Sequence, residues 1–286
     1  MRLTVLAPAK INLTLDVTGR RPDGYHELVS IFQTVDCCDR ITLTERAETV
    51  TLDTPGCTPC PPEQNTAYRA AQLFFAHTGI AGGAAITLYK RIPQQAGMGG
   101  GSADAAAVLA GLNRLYEAGL SREELADLGV RIGADVPFFL TGGTALVTGI
   151  GETIDPLPSL PPVYIVVAQP AEGVDTAGAY RRLDACSIAR RPNHEAAVEA
   201  MRAQCWPALW AQVCNVFEPA LALPGVAAIR REMEVFRPLA DQMTGSGSAV
   251  FGLFGEESVA RQCAARLREQ FPVAFVCRPC DGIAFA

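Results

Sequence analysis

The first fifty residues alternate apolar and polar positions at the two-residue spacing that predicts β-strands. Three stretches carry this pattern and are rich in β-branched residues: RLTVLAPAKINLTLDVTG, ELVSIFQTV and DRITLTERAETVTLD. From about Asn65 the apolar spacing lengthens, which predicts a helix that ends at Gly79, and the strand AAITLYKRI then runs up to Pro93. The chain therefore begins as a β-rich layer followed by mixed helix and strand.

A glycine-rich loop, IPQQAGMGGGSADAA, follows that strand and opens an amphipathic helix from Ser102. A further helix begins at Ser121, where Glu124 is placed to complete a capping box. GADVPFF then breaks the helical pattern at Pro137, and TALVTG has the composition of a strand.

The proline-rich stretch IDPLPSLPP, residues 154–162, is the best candidate for a linker, and it divides the chain into parts 1–155 and 156–286. The second part has a strand VYIVVAQ, several helices between residues 176 and 238, and a glycine turn TGSGS. A strand AVFGLF, a helix EESVARQCAARLREQ and a last strand VAFVC follow that turn. These patterns predict two domains that both mix α and β structure.

Composition excludes several classes of protein. Hydrophobic residues make up 49% and charged residues 19% of the 286 residues, and no apolar run approaches the roughly 18 residues of a membrane span. The N-terminus lacks the features of a secretory signal, so we expect a cytoplasmic protein with no membrane association. The net charge of −6 is spread along the chain, which argues against nucleic acid and favours small-molecule partners. No feature of the sequence points to an obligate protein partner.

Two pairs of cysteines have the spacing of zinc ligands, Cys57 with Cys60 and Cys277 with Cys280. The pairs lie in opposite halves of the chain, each contains a proline, and no nearby His or Asp supports a metal site. We therefore expect the ten cysteines to be mostly reduced structural thiols.

Lysine is scarce: of the 24 basic residues, only Lys10 and Lys90 are lysines. A chain biased toward arginine is expected to keep lysine where a compact, rotatable point charge is needed, although chance retention is the alternative.

The glycine-rich loop offers backbone N–H groups and a helix N-terminus, a common way of binding phosphate. It is not a P-loop, because Ala103 and Asp104 follow Gly101 and Ser102 where that motif requires a lysine. It is not a dinucleotide fingerprint either, because Ser102 takes the place of the third glycine. A turn that serves packing alone remains the alternative.

Three stretches together resemble the GHMP small-molecule kinases: APAKINLTLDVTGRRPDGYHEL, the glycine-rich loop, and MTGSGSAVFGLF. With IGADVPFF and VDTAGAY the resemblance covers nearly the whole chain, and it points to the members that phosphorylate the 2-hydroxyl of 4-diphosphocytidyl-2-C-methyl-D-erythritol in the non-mevalonate isoprenoid pathway. The resemblance implies an α+β fold with an N-terminal ATP-binding domain, a C-terminal ferredoxin-like domain, and substrate in the cleft between them. It also implies ATP and Mg²⁺. The sequence departs from the usual loop at Gln94, Gln95 and Ala103. At Ala103 a serine hydroxyl is missing, so no hydroxyl contact with phosphate or metal is expected from this position, while the backbone N–H groups of the loop are kept.

The resemblance places the catalytic base at Asp135 and a stabilising charge at Lys10. Lys10 would stabilise the developing alkoxide and keep Asp135 ionised. From the residues alone, Asp135 is better explained by a carboxylate that ends a helix and bonds its own backbone, and the resemblance reverses that order. The alternative for Lys10, a lysine at a strand end with its ammonium in solvent, conflicts with the scarcity of lysine.

For the nucleotide, backbone N–H groups would come from four glycines: Gly97, Gly99, Gly100 and Gly101. The hydroxyl of Ser102 is a candidate for a β-phosphate or Mg²⁺ contact, with a helix N-cap as the alternative. Lys90 is placed to help bind the nucleotide, and a solvated lysine is the alternative. The TGSGS segment, residues 244–248, is expected to form a second backbone wall near the phosphates, with a tight hairpin as the alternative.

For the substrate, Tyr25 and Tyr180 are expected to lie on either side of the cytosine ring, with His26 at the base edge. Thr176 offers a further contact. Asn12, on the same strand face as Lys10, is a candidate for the erythritol or diphosphate, and a structural role is the alternative for both Asn12 and His26.

Asn215 and Glu218 in NVFEP match the family pattern, but the sequence assigns them no role. Two other classes stay open: a related kinase that acts on another alcohol, and a non-catalytic nucleotide-binding module.

Overall fold

The computed structural model describes residues 1–57 and 60–286. Two long strands, β1 (Arg2–Arg20) and β2 (His26–Arg46), pair antiparallel over nearly their full length. A register shift between Pro8 and Ala9 leaves two residues of β2 without partners on β1 at a bulge. The other elements of the first part are β3 (Thr51–Asp53), α1 (Thr66–Thr78), β4 (Gly83–Tyr89), α2 (Gly100–Leu115), α3 (Arg122–Val130), α4 (Val136–Thr141), β5 (Thr144–Gly149) and β6 (Thr153–Leu157).

The second part supplies a further set of elements, several of them short. In chain order they are β7 (Tyr164–Gln169), α5 (Thr176–Asp184), α6 (His194–Arg202), α7 (Trp206–Trp210), β8 (Cys214–Asn215), α8 (Phe217–Leu221), α9 (Pro224–Glu234), β9 (Ala240–Met243), β10 (Val250–Phe254), α10 (Glu257–Arg268), β11 (Val273–Cys277) and β12 (Ala284–Phe285).

The strands form two sheets. The larger has the order β12-β1-β2-β4-β3, with β5 and then β6 added beside β2, and with β8 beside β1. The smaller has the antiparallel order β11-β7-β10-β9, with α9 before β9 and α10 before β11. This is the β-α-β-β-α-β connection of a ferredoxin-like unit, so the predicted α+β fold is confirmed.

Helix α2 packs closely on the larger sheet because its face is built from small residues. Ala103, residues 105–109 and Leu112 are buried, and a Cβ on Gly111 would lie 3.0 Å from the Cγ2 atom of Val5 on β1. The alanine-rich run therefore brings the start of α2, and the glycine-rich loop before it, directly against β1.

Two details of the sequence prediction were wrong. Pro137 does not end a helical pattern but lies in the first turn of α4, where its missing N–H costs no hydrogen bond. The first four residues of the proposed linker, 154–157, belong to strand β6 (Thr153–Leu157), which pairs with β5. The boundary at residues 155 and 156 stays a prediction. Among the described residues, no helix is both long and apolar enough to cross a membrane.

Candidate active site

All but two of the predicted site residues line one cavity of about 730 Å³. Strand β1, the loop before α2, the start of α4, helix α5 and the turn after β9 each contribute to its wall. The predicted residues that line it are Lys10, Asn12, Lys90, Gly97, Gly99, Gly100, Gly101, Ser102, Asp135, Thr176 and Tyr180. Tyr25 and His26 lie outside this lining.

The glycine-rich loop reaches α2 through Gly99, whose φ of +71° is in the left-handed region. A Cβ at this position would lie 2.7 Å from the ring of Phe139 and 3.3 Å from the Cγ atom of Lys10. Helix α2 begins at Gly100, two residues before the predicted start. Ser102 is therefore not the N-cap, and within residues 1–57 and 60–286 its hydroxyl has no hydrogen-bond partner.

Lys10 is buried on β1 with its ammonium inside the cavity wall. Its Nζ atom donates to the Oδ1 atom of Asn12 at 2.6 Å and lies 4.7 Å from the centre of the Phe32 ring. Burial lowers the pKa of Lys10, and the charge of the Asp135 carboxylate acts in the opposite direction. The two predicted catalytic groups therefore interact electrostatically, and a lysine with its ammonium in solvent is excluded.

Asp135 is the residue before α4, yet its side chain does not cap that helix. Its carboxylate accepts no hydrogen bond from the residues that the structure describes. The same carboxylate acts on Tyr180, since burial and then the Asp135 charge raise the pKa of Tyr180 to about 12. Asp135 therefore shares the cavity with Lys10 and Tyr180 and has its oxygens available, which is what a proton acceptor needs.

Lys90 is held by two buried carboxylates. Its Nζ atom donates to Asp39 and, at 2.6 Å, to the Oδ2 atom of Asp104. Burial alone lowers the pKa of Lys90, but the charges of Asp104 and Asp39 outweigh it and the pKa is raised. The solvated alternative is excluded.

The second oxygen of Asp104 is buried at the cavity and has no protein partner among the described residues. Burial raises the pKa of Asp104, against the charge of Lys90. Asp104 is a site residue that was not predicted. The signal that could have found it is a charged residue within the alanine-rich apolar run that begins α2, because a buried carboxylate is rare unless it has a partner.

Asn12 links Lys10 to the segment 244–248. Its Oδ1 atom accepts from Lys10 and from the backbone N–H of Gly245 at 2.9 Å, and its Nδ2 atom donates to Ser30 at 2.9 Å. The backbone N–H of Asn12 donates to the Oγ1 atom of Thr244 at 3.0 Å. Most of its hydrogen-bonding capacity is thus used inside the protein, which supports the structural alternative, and contact with substrate stays a prediction.

Asn215 and Glu218 acquire a role from the structure. The Nδ2 atom of Asn215 donates to the carbonyl oxygens of Met243 and Gly245, at 2.7 and 2.8 Å. Glu218 accepts the backbone N–H of Met243 at 2.9 Å and pairs with Arg230. Both side chains therefore hold the start of the segment 244–248. This segment is the loop of the antiparallel hairpin formed by β9 and β10, as the hairpin alternative expected, and its Gly245 and Ser246 line the cavity. A role near the phosphates stays a prediction.

On the substrate side, the structure shows which rings contact Tyr180. The ring stacked on Tyr180 is that of His26, with centroids 4.6 Å apart and planes at 26°, and the edge contact is with Phe217. Tyr25 is 60% exposed. Tyr25 belongs to the turn before β2 and does not line the cavity. The predicted placement of Tyr25 and Tyr180 on either side of a cytosine ring stays a prediction.

The two cysteine pairs lie at different places. Cys57 and Cys60 line the cavity, while Cys280 donates its backbone N–H to Thr34 on β2 and Cys277 is buried. In the described part of the chain, all cysteines are free, and no group of three or more His, Cys, Asp or Glu side chains has the arrangement of a metal site.

Comparison with known proteins decides the family. The family model GHMP kinases N terminal domain matches residues 65–143. A 4-diphosphocytidyl-2-C-methyl-D-erythritol kinase of Geobacillus kaustophilus (strain HTA426) is 45% identical over 262 residues, which are 90% of each chain. The chain belongs to this family of kinases.

Solved structures agree with the family of 4-diphosphocytidyl-2-C-methyl-D-erythritol kinases. A crystal structure of 4-(cytidine 5'-diphospho)-2C-methyl-D-erythritol kinase aligns with a TM-score of 0.79 at 39% identity and covers 96% of this chain and 98% of its own. A homoserine kinase from Cytophaga hutchinsonii ATCC 33406 aligns equally well, with a TM-score of 0.79, at 19% identity over 100% of this chain and 97% of its own. That second likeness concerns the fold alone.

Proposed function

We propose that this protein transfers the γ-phosphoryl group of ATP to the 2-hydroxyl of 4-diphosphocytidyl-2-C-methyl-D-erythritol, a step of the non-mevalonate isoprenoid pathway. The observation that carries the proposal is the carboxylate of Asp135, which has no protein partner in the described residues and shares the cavity with Lys10 and the glycine-rich loop. A buried cation, a free carboxylate and a backbone-lined loop are the parts that phosphoryl transfer to an alcohol requires.

In the proposed reaction, Asp135 accepts the proton of the attacking hydroxyl as the new O–P bond forms and the bond to ADP breaks. The ammonium of Lys10 stabilises the negative charge that develops on that oxygen, and its hydrogen bond to Asn12 fixes its direction. The N–H groups of Gly100, Gly101 and Ser102, at the free end of α2, are the proposed donors to the phosphates.

The residues present fit a bound Mg²⁺ ion. Magnesium is usually held by one or two protein oxygens together with substrate phosphates, so a cluster of acidic residues is not required. The Ser102 hydroxyl lines the cavity, and we propose it as the protein contact of the ion. Magnesium, when bound, would neutralise charge on the phosphates.

Lys90 and Asp104 are proposed to serve the nucleotide. When the Asp104 carboxyl is ionised, its free oxygen is an acceptor, so it suits a hydroxyl or amino group of the nucleotide rather than a phosphate. Lys90 holds that carboxylate in place at 2.6 Å.

The proposal is tested by measuring ATP consumption with three alcohols: the cytidine diphosphate substrate, homoserine and mevalonate. We expect turnover with the first and none above background with the other two. Preference for homoserine or mevalonate would assign the chain to a related kinase, and nucleotide binding without turnover on any alcohol would assign it to the non-catalytic class.

A further inference from the structure

The ammonium of Lys10 is anchored by one side chain. Its Nζ atom donates to the Oδ1 atom of Asn12 at 2.6 Å, and within residues 1–57 and 60–286 it has no other hydrogen-bond partner. Asp135 acts on the ammonium through its charge, without a hydrogen bond between the two described side chains. The direction of the Lys10 ammonium in the cavity wall therefore depends on where the amide of Asn12 points.

The two ends of the Asn12 amide have different partners. Its Oδ1 atom accepts from Lys10 and from the backbone N–H of Gly245, which are both donors only, so the oxygen must face them. Its Nδ2 atom donates to the Oγ atom of Ser30 at 2.9 Å, which is its one partner in the described part of the chain. Ser30 thus holds the end of the amide that Lys10 and Gly245 leave free.

The hydroxyl of Ser30 is held in turn by the backbone. It donates its hydrogen to the carbonyl oxygen of Thr14, which leaves its lone pairs to accept from Asn12. In the pairing of β1 with β2, a bulge at Leu13 separates Asn12 from Thr14, and Ser30 on β2 contacts both of these residues. Ser30 is fully buried, so removing its hydroxyl would leave a buried N–H of Asn12 without its acceptor.

We propose that Ser30 is a positioning residue for phosphoryl transfer, whose hydroxyl holds the Asn12 amide so that its oxygen fixes the ammonium of Lys10 toward the reacting hydroxyl. Ser30 does not line the cavity, so it acts through Asn12 and Lys10 rather than by contact with the reacting atoms. This inference rests on the proposed function, and it extends the catalytic arrangement to a residue behind the cavity wall.

The first test is kinetic. In Ser30→Ala, we expect kcat and kcat/KM for the cytidine substrate to fall together by about ten-fold, the factor for one lost hydrogen bond of ordinary strength. They should fall together because Lys10 stabilises charge that develops only in the transition state, and the affinity for ATP should stay the same. Ser30→Thr keeps the hydroxyl and should restore the rate.

Thr144→Val is the matched control. Thr144 is also buried in the larger sheet, and its hydroxyl donates to the Oε1 atom of Gln33 at 2.6 Å, so the variant also removes one buried hydrogen bond. Its hydroxyl makes no hydrogen bond to Asn12 or Lys10. Thr144→Val should therefore lose stability and keep the kcat of the wild type.

The second test measures the pKa of Lys10. A hydrogen bond to the ammonium favours its charged form, so a less firmly held Asn12 should lower the pKa of Lys10 further in Ser30→Ala, and kcat/KM should then fall at a lower alkaline pH than in the wild type. The chain has two lysines, so ¹³C NMR of the labelled lysine side chains, assigned with Lys10→Arg, follows the titration of Lys10 directly. Ser30→Thr and Thr144→Val should titrate like the wild type.

An equal pKa of Lys10 in the wild type and in Ser30→Ala would overturn the proposal, and so would a Ser30→Thr variant that behaves like Ser30→Ala. If Ser30→Ala does not fold, Ser30→Cys replaces it in both tests, because a thiol is a weaker acceptor than a hydroxyl. The two proposals can fail separately. If the wild type does not phosphorylate the cytidine substrate, the proposed function fails, and the titration of Lys10 in these variants still decides whether Ser30 positions it.

Discussion

Gly99 gives the sharpest test of how the glycine-rich loop is built, because two separate features require a glycine there: a left-handed backbone and a close contact with a neighbouring side chain. Its φ is +71°, and a Cβ would lie 2.7 Å from the Phe139 ring. Gly119 has the same φ of +71°, but a Cβ there would meet nothing within 4 Å. Gly99→Ala and Gly119→Ala therefore share the backbone strain and differ only in the contact.

The magnitude follows from these distances. Left-handed backbone costs an alanine about 1–2 kcal/mol, and both variants should lose that much stability. Carbon atoms prefer a separation of about 3.5–4.0 Å, so in Gly99→Ala the loop and the Phe139 ring must separate by about 1 Å. Phe139 is buried and cannot turn into solvent, which adds about 1–3 kcal/mol of overpacking.

The same displacement reaches the reaction, because the added Cβ would also lie 3.3 Å from the Cγ atom of Lys10. A misplacement of about 1 Å can lower catalysis by about 10²-fold. We expect kcat/KM for ATP to fall by that order in Gly99→Ala and to stay at the wild-type value in Gly119→Ala, measured with steady-state kinetics beside thermal unfolding. Equal unfolding temperatures and equal kcat/KM in the two variants would refute the packing argument.

Three further predictions concern single side chains. Lys10→Arg should be inactive, because a planar guanidinium cannot replace a buried point charge, and wild-type rates in this variant would contradict the role of Lys10. In the wild type, the lowered pKa of Lys10 should make kcat/KM fall at a lower alkaline pH than an ordinary lysine would. Asn215→Asp leaves two buried carbonyl oxygens without donors, so the free energy of unfolding, measured by chemical denaturation, should fall by about 1–3 kcal/mol and KM for ATP should rise. An unchanged free energy of unfolding would show that the segment 244–248 does not depend on Asn215. Tyr180→Ala should raise KM for the cytidine substrate by about ten-fold while the affinity for ATP stays the same. A selective loss of ATP binding would instead place Tyr180 at the nucleotide.

Much of the fold followed from local patterns. The helix from Thr66 to Thr78 was predictable because Asn65 caps it and Gly79 ends it in the left-handed conformation, and the capping box of Ser121 and Glu124 is present as expected. These signals need only a few neighbouring residues. Strand β6 was missed because prolines suggest a linker, although an edge strand accepts them.

The site was predicted best where the sequence motif itself forms the wall. The loop around Gly99 and the residues Lys10 and Asp135 meet at one cavity as expected. The contacts of Asn215 with the segment 244–248 join residues about 30 positions apart, and the stack of His26 on Tyr180 joins residues more than 150 apart. Sequence spacing carries no information on such contacts, which arise only when the two parts of the chain pack together.

The central claim is that Asp135 accepts the proton while the phosphoryl group of ATP passes to the 2-hydroxyl of the cytidine substrate. The most direct measurement is ³¹P and ¹³C NMR of the product formed by the wild type and by Asp135→Asn, with nucleotide affinity measured in parallel. We predict one new phosphate monoester on the 2-hydroxyl in the wild type, and in Asp135→Asn a rate lower by roughly 10²–10⁴-fold with ATP affinity unchanged. A phosphate on another hydroxyl, or a near-normal rate in Asp135→Asn, would contradict the account.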